Sequence, residues 1–219
     1  MEFELLGWPA DGPTLRLDYE RFSYAGKFVM SNTGKAVARI DAEGDDPDSD
    51  QQADDIVAAV AFNEDRTDSS TLWLRYVTVE RAHRGEGIGP ALCSFVRERA
   101  LERGYERLRI AVNNPFAYEA LYRSGFAFTG ETTGIAELVL EYPSPNPAKD
   151  TDDIDDRDER YQSGLEEFRD RELSADEHAF LDDRRHDGAP GLETDASPRG
   201  HDTSRDTPRG HDTSRGGRR

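Results

Sequence analysis

One cysteine, three lysines and no long apolar run set the first limits on this 219-residue chain. With Cys93 alone, neither an intramolecular disulfide nor a cysteine metal cluster can form. Five scattered histidines lack metal-ligand spacing, so no metal is expected. No stretch approaches the roughly 20 apolar residues of a membrane helix. The first ten residues carry Glu2 and Glu4 and no basic residue. That argues against a signal peptide and makes the cytoplasm the expected compartment. Hydrophobic residues supply only 35% of the chain, below the usual share for a compact domain, so part of it is expected not to fold.

Positive charge is also scarce. The net charge is −18, and lysine occurs only at Lys27, Lys35 and Lys149. Such a chain is repelled by nucleic acid and anionic lipid, and neither is expected as a partner. Abundant acid with almost no lysine resembles the proteins of salt-loving archaea. At about 1 M salt the Debye length is about 3 Å, so self-repulsion is screened while carboxylates hold water. A generic acidic protein is the alternative.

The apolar runs that are present lie almost wholly in residues 1–143, which are expected to form one domain. An acidic stretch, 41–55, reads as a flexible surface loop between a strand near Lys35–Ile40 and the strand Ile56–Phe62. The latter looks buried on both faces. From within the Pro-Ser-Pro-Asn-Pro run that begins at Pro143, residues 144–160 read as an acidic linker. Between 161 and 185 one or two short helices are expected, from the capping box Ser174-Ala-Asp-Glu177 and the spacing of Leu165 and Phe168. Residues 186–219 read as a disordered low-complexity tail in which Pro198–Arg205 recurs as Pro208–Arg215. Its His201 and His211 are a weak metal-binding alternative.

The chemistry concentrates between Thr71 and Tyr142. Thr71–Val79 reads as a strand with Leu72, Leu74, Tyr76 and Thr78 on one face and Trp73, Arg75, Val77 and Val79 on the other. A glycine loop follows, Arg84-Gly85-Glu86-Gly87-Ile88-Gly89, and then a helix from Pro90 to Arg103 stopped by Gly104. Glycines let backbone approach a ligand, and the unfilled N–H groups at a helix start attract phosphate. The spacing fits neither the dinucleotide pattern nor the P-loop, because Pro90 stands where each needs another residue. It fits Arg/Gln-x-x-Gly-x-Gly/Ala through Arg84, Gly87 and Gly89. A strand Leu108–Val112, the pair Asn113-Asn114, a helix opened by Pro115 and closed by Gly125-Phe126, and a final hairpin complete the series.

In that order and spacing, Val77-Thr78-Val79, the Arg84–Gly89 loop, Asn114 and Leu121-Tyr122-Arg123-Ser124-Gly125-Phe126 resemble the GNAT superfamily of acetyl-CoA-dependent N-acetyltransferases. The resemblance spans roughly residues 56–142. Residues 1–55 lack the pair of helices usual after the first strand. The fold it implies is α/β (α+β by some schemes): a mixed, mostly antiparallel sheet with a splayed central strand and flanking helices, here followed by a largely disordered acidic tail. The activity it implies is transfer of acetyl from acetyl-CoA to an amine, on a small molecule or a protein, and it leaves a homodimer open.

By the same resemblance, Val77, Thr78 and Val79 line the pantetheine arm, with a main-chain amide of Val77 or Val79 as oxyanion donor. Gly85, Glu86, Gly87, Ile88 and Gly89 hold the pyrophosphate beside Arg84, though Pro90 offers no amide where the family often has one. Tyr122 corresponds to the helix tyrosine that protonates the leaving thiolate, with a packed aromatic as the alternative. Asn114 contacts the cofactor arm, and Asn113 is a second choice, because Asn114 to Tyr122 is one residue longer than usual. Glu80 is the nearest carboxylate but reads better as a loop cap, so no general base is assigned. Arg75 either faces the acceptor, favouring a carboxylate-bearing one, or faces solvent or an acid on the next strand. Cys93 reads as core filler. A second class of function remains beside the transferase: a non-catalytic acetyl-CoA sensor or interaction module working through the tail.

Overall fold

The computed structural model describes residues 1–10, 12–40, 55–144 and 154–192. The expected loop up to residue 54, the first part of the expected linker and the repeat-bearing tail from 193 lie outside the described residues. Seven strands form one sheet: β1 (Glu2–Gly7), β2 (Gly34–Arg39), β3 (Ile56–Glu64), β4 (Thr71–Val79), β5 (Arg107–Val112), β6 (Ala127–Thr132) and β7 (Leu138–Tyr142). Their order is β1-β2-β3-β4-β5-β7-β6. Every neighbouring pair is antiparallel except β4 and β5. A parallel pair needs a crossover, and helix α1 (Ile88–Glu102) supplies it. Three more helices follow: α2 (Pro115–Arg123), α3 (Ile154–Arg169) and α4 (Ala175–Asp183).

The sheet has an apolar cluster on each face. On one face Ala36, Ala38, Val60, Leu72 and Leu74 pack against Leu92 and Val96 of α1, Leu121 of α2 and Leu165 of α3. On the other, Val37, Ile56, Ala59 and Ala61 are covered by Leu15, Phe22, Ala25 and Phe28 from the long segment between β1 and β2. Its described residues contain a single 3-10 turn, Ala25–Lys27, and no helix pair. β3 lies between the clusters and Ile56 to Phe62 are fully buried, as an apolar run without alternation implies. The segment is tied down by Lys35, a buried lysine on β2. Its ammonium donates to the carbonyls of Met30 and Thr33 and to the Thr33 hydroxyl, filling all three N–H groups. Burial pushes its pKa down.

Two boundaries differ from those expected. Helix α1 begins at Ile88, so Pro90 is its third residue, where an amide has no intrahelical partner to lose. More consequential, α3 starts at Ile154, inside the stretch expected as linker. An isolated helix this acidic would fray, but this one docks. Tyr161, Leu165 and Phe168 recur at helical spacing and are each at most 1% exposed. Tyr161 stacks on Tyr118 of α2, with ring centroids 5.7 Å apart. Tyr118 in turn donates its hydroxyl to the carbonyls of Arg160 and Tyr161. Helix α4 starts at a complete capping box between Ser174 and Glu177. Beyond its end, Arg184 pairs with the buried carboxylate of Glu119 on α2, which also accepts from Arg123 and Tyr161.

Candidate active site

The site is organised by one extra residue in β4. Opposite β3, Ala61 pairs with Tyr76 and Phe62 pairs with Leu74, so Arg75 has no opposite number. A bulge of this kind breaks the alternation of side chains. Leu72, Leu74, Val77 and Val79 therefore share the helix-covered face, and Tyr76 packs in the opposite cluster. This corrects the strict alternation expected from the sequence, which put Tyr76 and Thr78 with Leu72 and Leu74.

The bulge also marks where β4 leaves β5. The parallel ladder runs from Thr71 opposite Arg107 to Leu74 opposite Ile110 and stops there. Past Leu74 the two strands no longer pair, in keeping with the splay that the resemblance implied. The Glu80 amide donates to the Val57 carbonyl of β3. In an antiparallel strand main-chain groups alternate sides, so Thr78 also faces β3, while the amides and carbonyls of Val77 and Val79 face the gap. Thr78 is thus not brought to the gap: its side chain is buried and its hydroxyl has no hydrogen-bond partner among the described residues.

Below the gap comes the glycine loop. Gly85 and Gly87 have φ of +84° and +81°, a region in which a side chain is strained. Gly87 is the N-cap of α1, with no side-chain cap, and Ala91 N–H to Gly87 C=O is the first helical bond. The amides of Gly87, Ile88 and Gly89 therefore have no intrahelical partner. A Cβ on Gly89 would stand 3.3 Å from Val79 Cγ2, so the helix start lies close against the end of β4. The Arg84 guanidinium donates to Ser23 Oγ at 2.8 Å and to the Val79 carbonyl at 3.4 Å, neither of which neutralises it. Glu86 turns its carboxylate to His83, 3.2 Å away.

Three other expected residues have different surroundings. Asn114 is the N-cap of α2, its Oδ1 accepting from the Ala117 amide and its Nδ2 donating to Asn113. Tyr122 is fully buried among Tyr118 and Tyr161, with centroids 4.9 and 5.0 Å away. Its hydroxyl accepts from the Phe128 amide of β6 at 3.0 Å. In strand order β7 and β5 stand between β6, to which that hydroxyl is bonded, and the gap. The structure does not bring Tyr122 to Val77 and Val79. Glu80 is held by Arg21 in a two-point ion pair, at 2.7 and 3.0 Å, and the Arg21 hydrogen bonds keep its carboxyl below the usual range. Cys93 is buried on α1, and burial pushes its thiol up to about 12, which rules it out as a nucleophile at neutral pH. No group of acids, histidines or cysteines among the described residues could hold a metal.

The face of the sheet away from the helices carries two depressions that sequence reading missed. One, of about 790 Å³, is lined by Tyr19, Tyr24, Lys27 and Arg81 among others. The second, of about 470 Å³, lies beside the bulge and includes Asn63, Asp65, Arg66, Trp73, Arg75 and Tyr76. Tyr76 joins them, with Tyr24 6.3 Å and the Lys27 ammonium 5.7 Å from its ring.

A model of the acetyltransferase (GNAT) family matches residues 8–126, more than half of the chain. The chain belongs to the GNAT family. The match ends with α2, so α3 and α4 lie beyond it. Solved structures that resemble the chain include nourseothricin acetyltransferase, 27% identical over 50% of this chain and 64% of that one, with a TM-score of 0.39. Two more are ribosomal-protein-alanine N-acetyltransferase from Brucella melitensis (20% identical, 50% of this chain and 67% of that one, TM-score 0.39) and PaiA N-acetyltransferase from Thermoplasma acidophilum in complex with coenzyme A (17%, 41% and 55%, 0.35). No curated protein matches the chain. GNAT enzymes use acetyl-CoA, and the residues here fit it: a strand edge left open at Val77 and Val79, unfilled amides at a helix start, and glycines where the backbone must come close.

Proposed function

We propose that this protein is an N-acetyltransferase that moves the acetyl group of acetyl-CoA to an amine. The observation that carries the reading is the open edge of β4: the main chain of Val77 and Val79 faces the gap directly above the unfilled amides of Gly87, Ile88 and Gly89. In this reading the edge holds the pantetheine amides by strand-like hydrogen bonds, and the loop with Arg84 holds the pyrophosphate. Acetyl-CoA bound there supplies the acetyl group: the acceptor nitrogen bonds to the carbonyl carbon, the carbon–sulfur bond breaks, and the amine proton goes to the thiolate or solvent. A gap-facing amide of β4 steadies the negative oxygen, a role worth several kcal/mol in water-poor sites. The catalytic unit we propose comprises residues 1–143 together with α3 and α4, which close over Tyr118 and Tyr122. Its acidic surface we read as an adaptation to concentrated salt in a cytoplasm.

The clamped Glu80 and the buried Tyr122 favour a second reading, an acetyl-CoA sensor without turnover. Calorimetry of acetyl-CoA on the full chain in concentrated KCl tests the first part of both. Wild type should bind, and the variant Arg84→Glu, Gly87→Val should lose at least about tenfold in affinity, the value of one charge-assisted hydrogen bond. No binding by wild type refutes both readings. Binding without thiol release across a broad amine panel leaves the sensor.

A further inference from the structure

We propose that the acceptor carries a carboxylate beside its amine, and that Arg75 and Arg66 bind that carboxylate in the depression next to the bulge. The proposal rests on the transferase reading for what the depression serves.

The first argument is charge. The whole chain has 46 acidic and 28 basic residues. Yet the two depressions are lined by Lys27, Arg66, Arg75 and Arg81 against one acid, Asp65. A surface that is acidic elsewhere has reversed its sign here, and such a reversal selects an anionic group.

The second argument is geometry. Asp65 is committed to building the wall: it accepts from Trp73 Nε1 at 2.6 Å, from the Thr67 amide and hydroxyl at 2.8 and 2.7 Å, and from the Asp68 amide at 3.1 Å. Those bonds fix the Trp73 ring as a plate. The Arg75 guanidinium lies over that plate, 5.0 Å from the ring centroid, and its Nε donates to Asn63 Oδ1 at 2.5 Å. The cation–ring contact and one bond anchor the guanidinium and leave its two terminal nitrogens as a fork, the arrangement that grips a carboxylate in two places. Neither Arg75 nor Arg66 has a carboxylate partner within salt-bridge distance among the described residues.

The third argument is position. Arg75 is the bulged residue itself, two residues before Val77, or about 7 Å along the strand. A small amine whose carboxylate sits on Arg75 therefore has its nitrogen near the point where β4 opens. A polyamine or an amino sugar would bring further cations to a wall that already carries Arg66 and Arg75.

The test uses the full chain with saturating acetyl-CoA, following thiol release with phenylalanine, phenylalaninamide, methionine, methioninamide and spermidine. Each acid should exceed its amide in kcat/KM by at least about tenfold, and Arg75→Gln should bring the ratio close to one, mainly through KM. An amide or spermidine used as well as the acids, or a ratio unmoved in the variant, overturns the proposal. Binding of N-acetylphenylalanine without acetyl-CoA, followed by tryptophan fluorescence, reads the depression whether or not any acceptor turns over. Saturable binding that weakens in Arg75→Gln supports the site, and none tighter than about 1 mM, the upper end of ordinary KM values, overturns it. If acetyl-CoA fails to bind in calorimetry while N-acetylphenylalanine binds, the transferase reading falls and the anion site stands.

Discussion

Replacing Tyr122 by phenylalanine separates the role its sequence context suggests from the role its surroundings allow. The hydroxyl accepts a hydrogen bond from the Phe128 amide, and the side chain is fully buried. Removing it strands a backbone N–H inside the β6–α2 packing, which costs about 1 to 3 kcal/mol. In a chain of this length each kcal/mol moves the melting temperature by about 2 to 4 °C, so Tm should fall by about 2 to 12 °C. Turnover should stay at the wild-type level, because β5 and β7 stand between that hydroxyl and the gap. Circular dichroism melts and thiol-release kinetics on the same preparation read both quantities. General acids contribute about 10²- to 10⁴-fold. A kcat loss of about 100-fold with an unmoved Tm would refute the reasoning and require α2 to turn in the working enzyme.

Gly164→Ala tests the docking of α3: the added methyl would lie 2.0 Å from the Tyr118 hydroxyl and 2.4 Å from the ring carbon bearing it. Alanine favours a helix by about 1 kcal/mol, but overpacking and the lost Tyr118 bonds cost more, so urea unfolding should show a net loss of about 2 kcal/mol. A gain would refute the docked arrangement. With Glu80 held ionised by Arg21, kcat/KM should rise about tenfold per pH unit up to the acceptor's own amine pKa. A plateau from about pH 6 common to all acceptors would reveal a protein base. Because its pKa is depressed in the fold, Glu80 adds stability that is full above the ordinary carboxylate range and is lost as pH falls through the lowered value. Glu80→Gln should therefore lower Tm at pH 7, and the loss should shrink as pH falls through the lowered value; a loss that does not change with pH would refute the ion pair as the cause. Raising KCl from about 0.1 M to about 1 M shrinks the Debye length from about 10 Å to about 3 Å. Tm should rise over that range, and a flat or falling Tm would count against the salt adaptation.

The strand, glycine loop and helix were legible because each depends on local chemistry. Gly85 and Gly87 hold positive φ, and Gly104 does so after α1, so these positions carry their own signal. The buried β3 was legible for the same reason, as an apolar run without alternation. The bulge was missed although it left a trace: Leu72 and Leu74, then Val77 and Val79, keep a spacing of two with one step of three between them. Tyr122 also left a trace. Eight residues separate it from Asn114, one more than the resemblance calls for, and on a helix one residue is a turn of about 100°, enough to send a side chain to another face. The start of α3 was illegible because residues 154–160 hold one apolar residue among charges. Its stability comes from Tyr161, Leu165 and Phe168 meeting α2, which is a tertiary fact.

The bulge at Arg75 links the two sides of the candidate reaction. A regular β4 would keep its alternation, continue its ladder with β5 and spend the main-chain groups of Val77 and Val79 on that neighbour. One inserted residue changes each of these at once. It ends the ladder at Leu74, so the amides of Val77 and Val79 and the Val77 carbonyl are left for a ligand, each bond worth about 1 kcal/mol when made. It moves Val77 and Val79 to the helix-covered side, where Val79 packs against the start of α1 and sets the glycine loop below the gap. And it sets Arg75 on the rim of the opposite depression, over Trp73, one step from the opened edge. Donor edge and acceptor cation are therefore placed by the same backbone irregularity, and removing it would disturb both. For that reason side-chain replacement at Arg75, rather than deletion of the residue, is the change that can separate recognition of the acceptor from binding of acetyl-CoA.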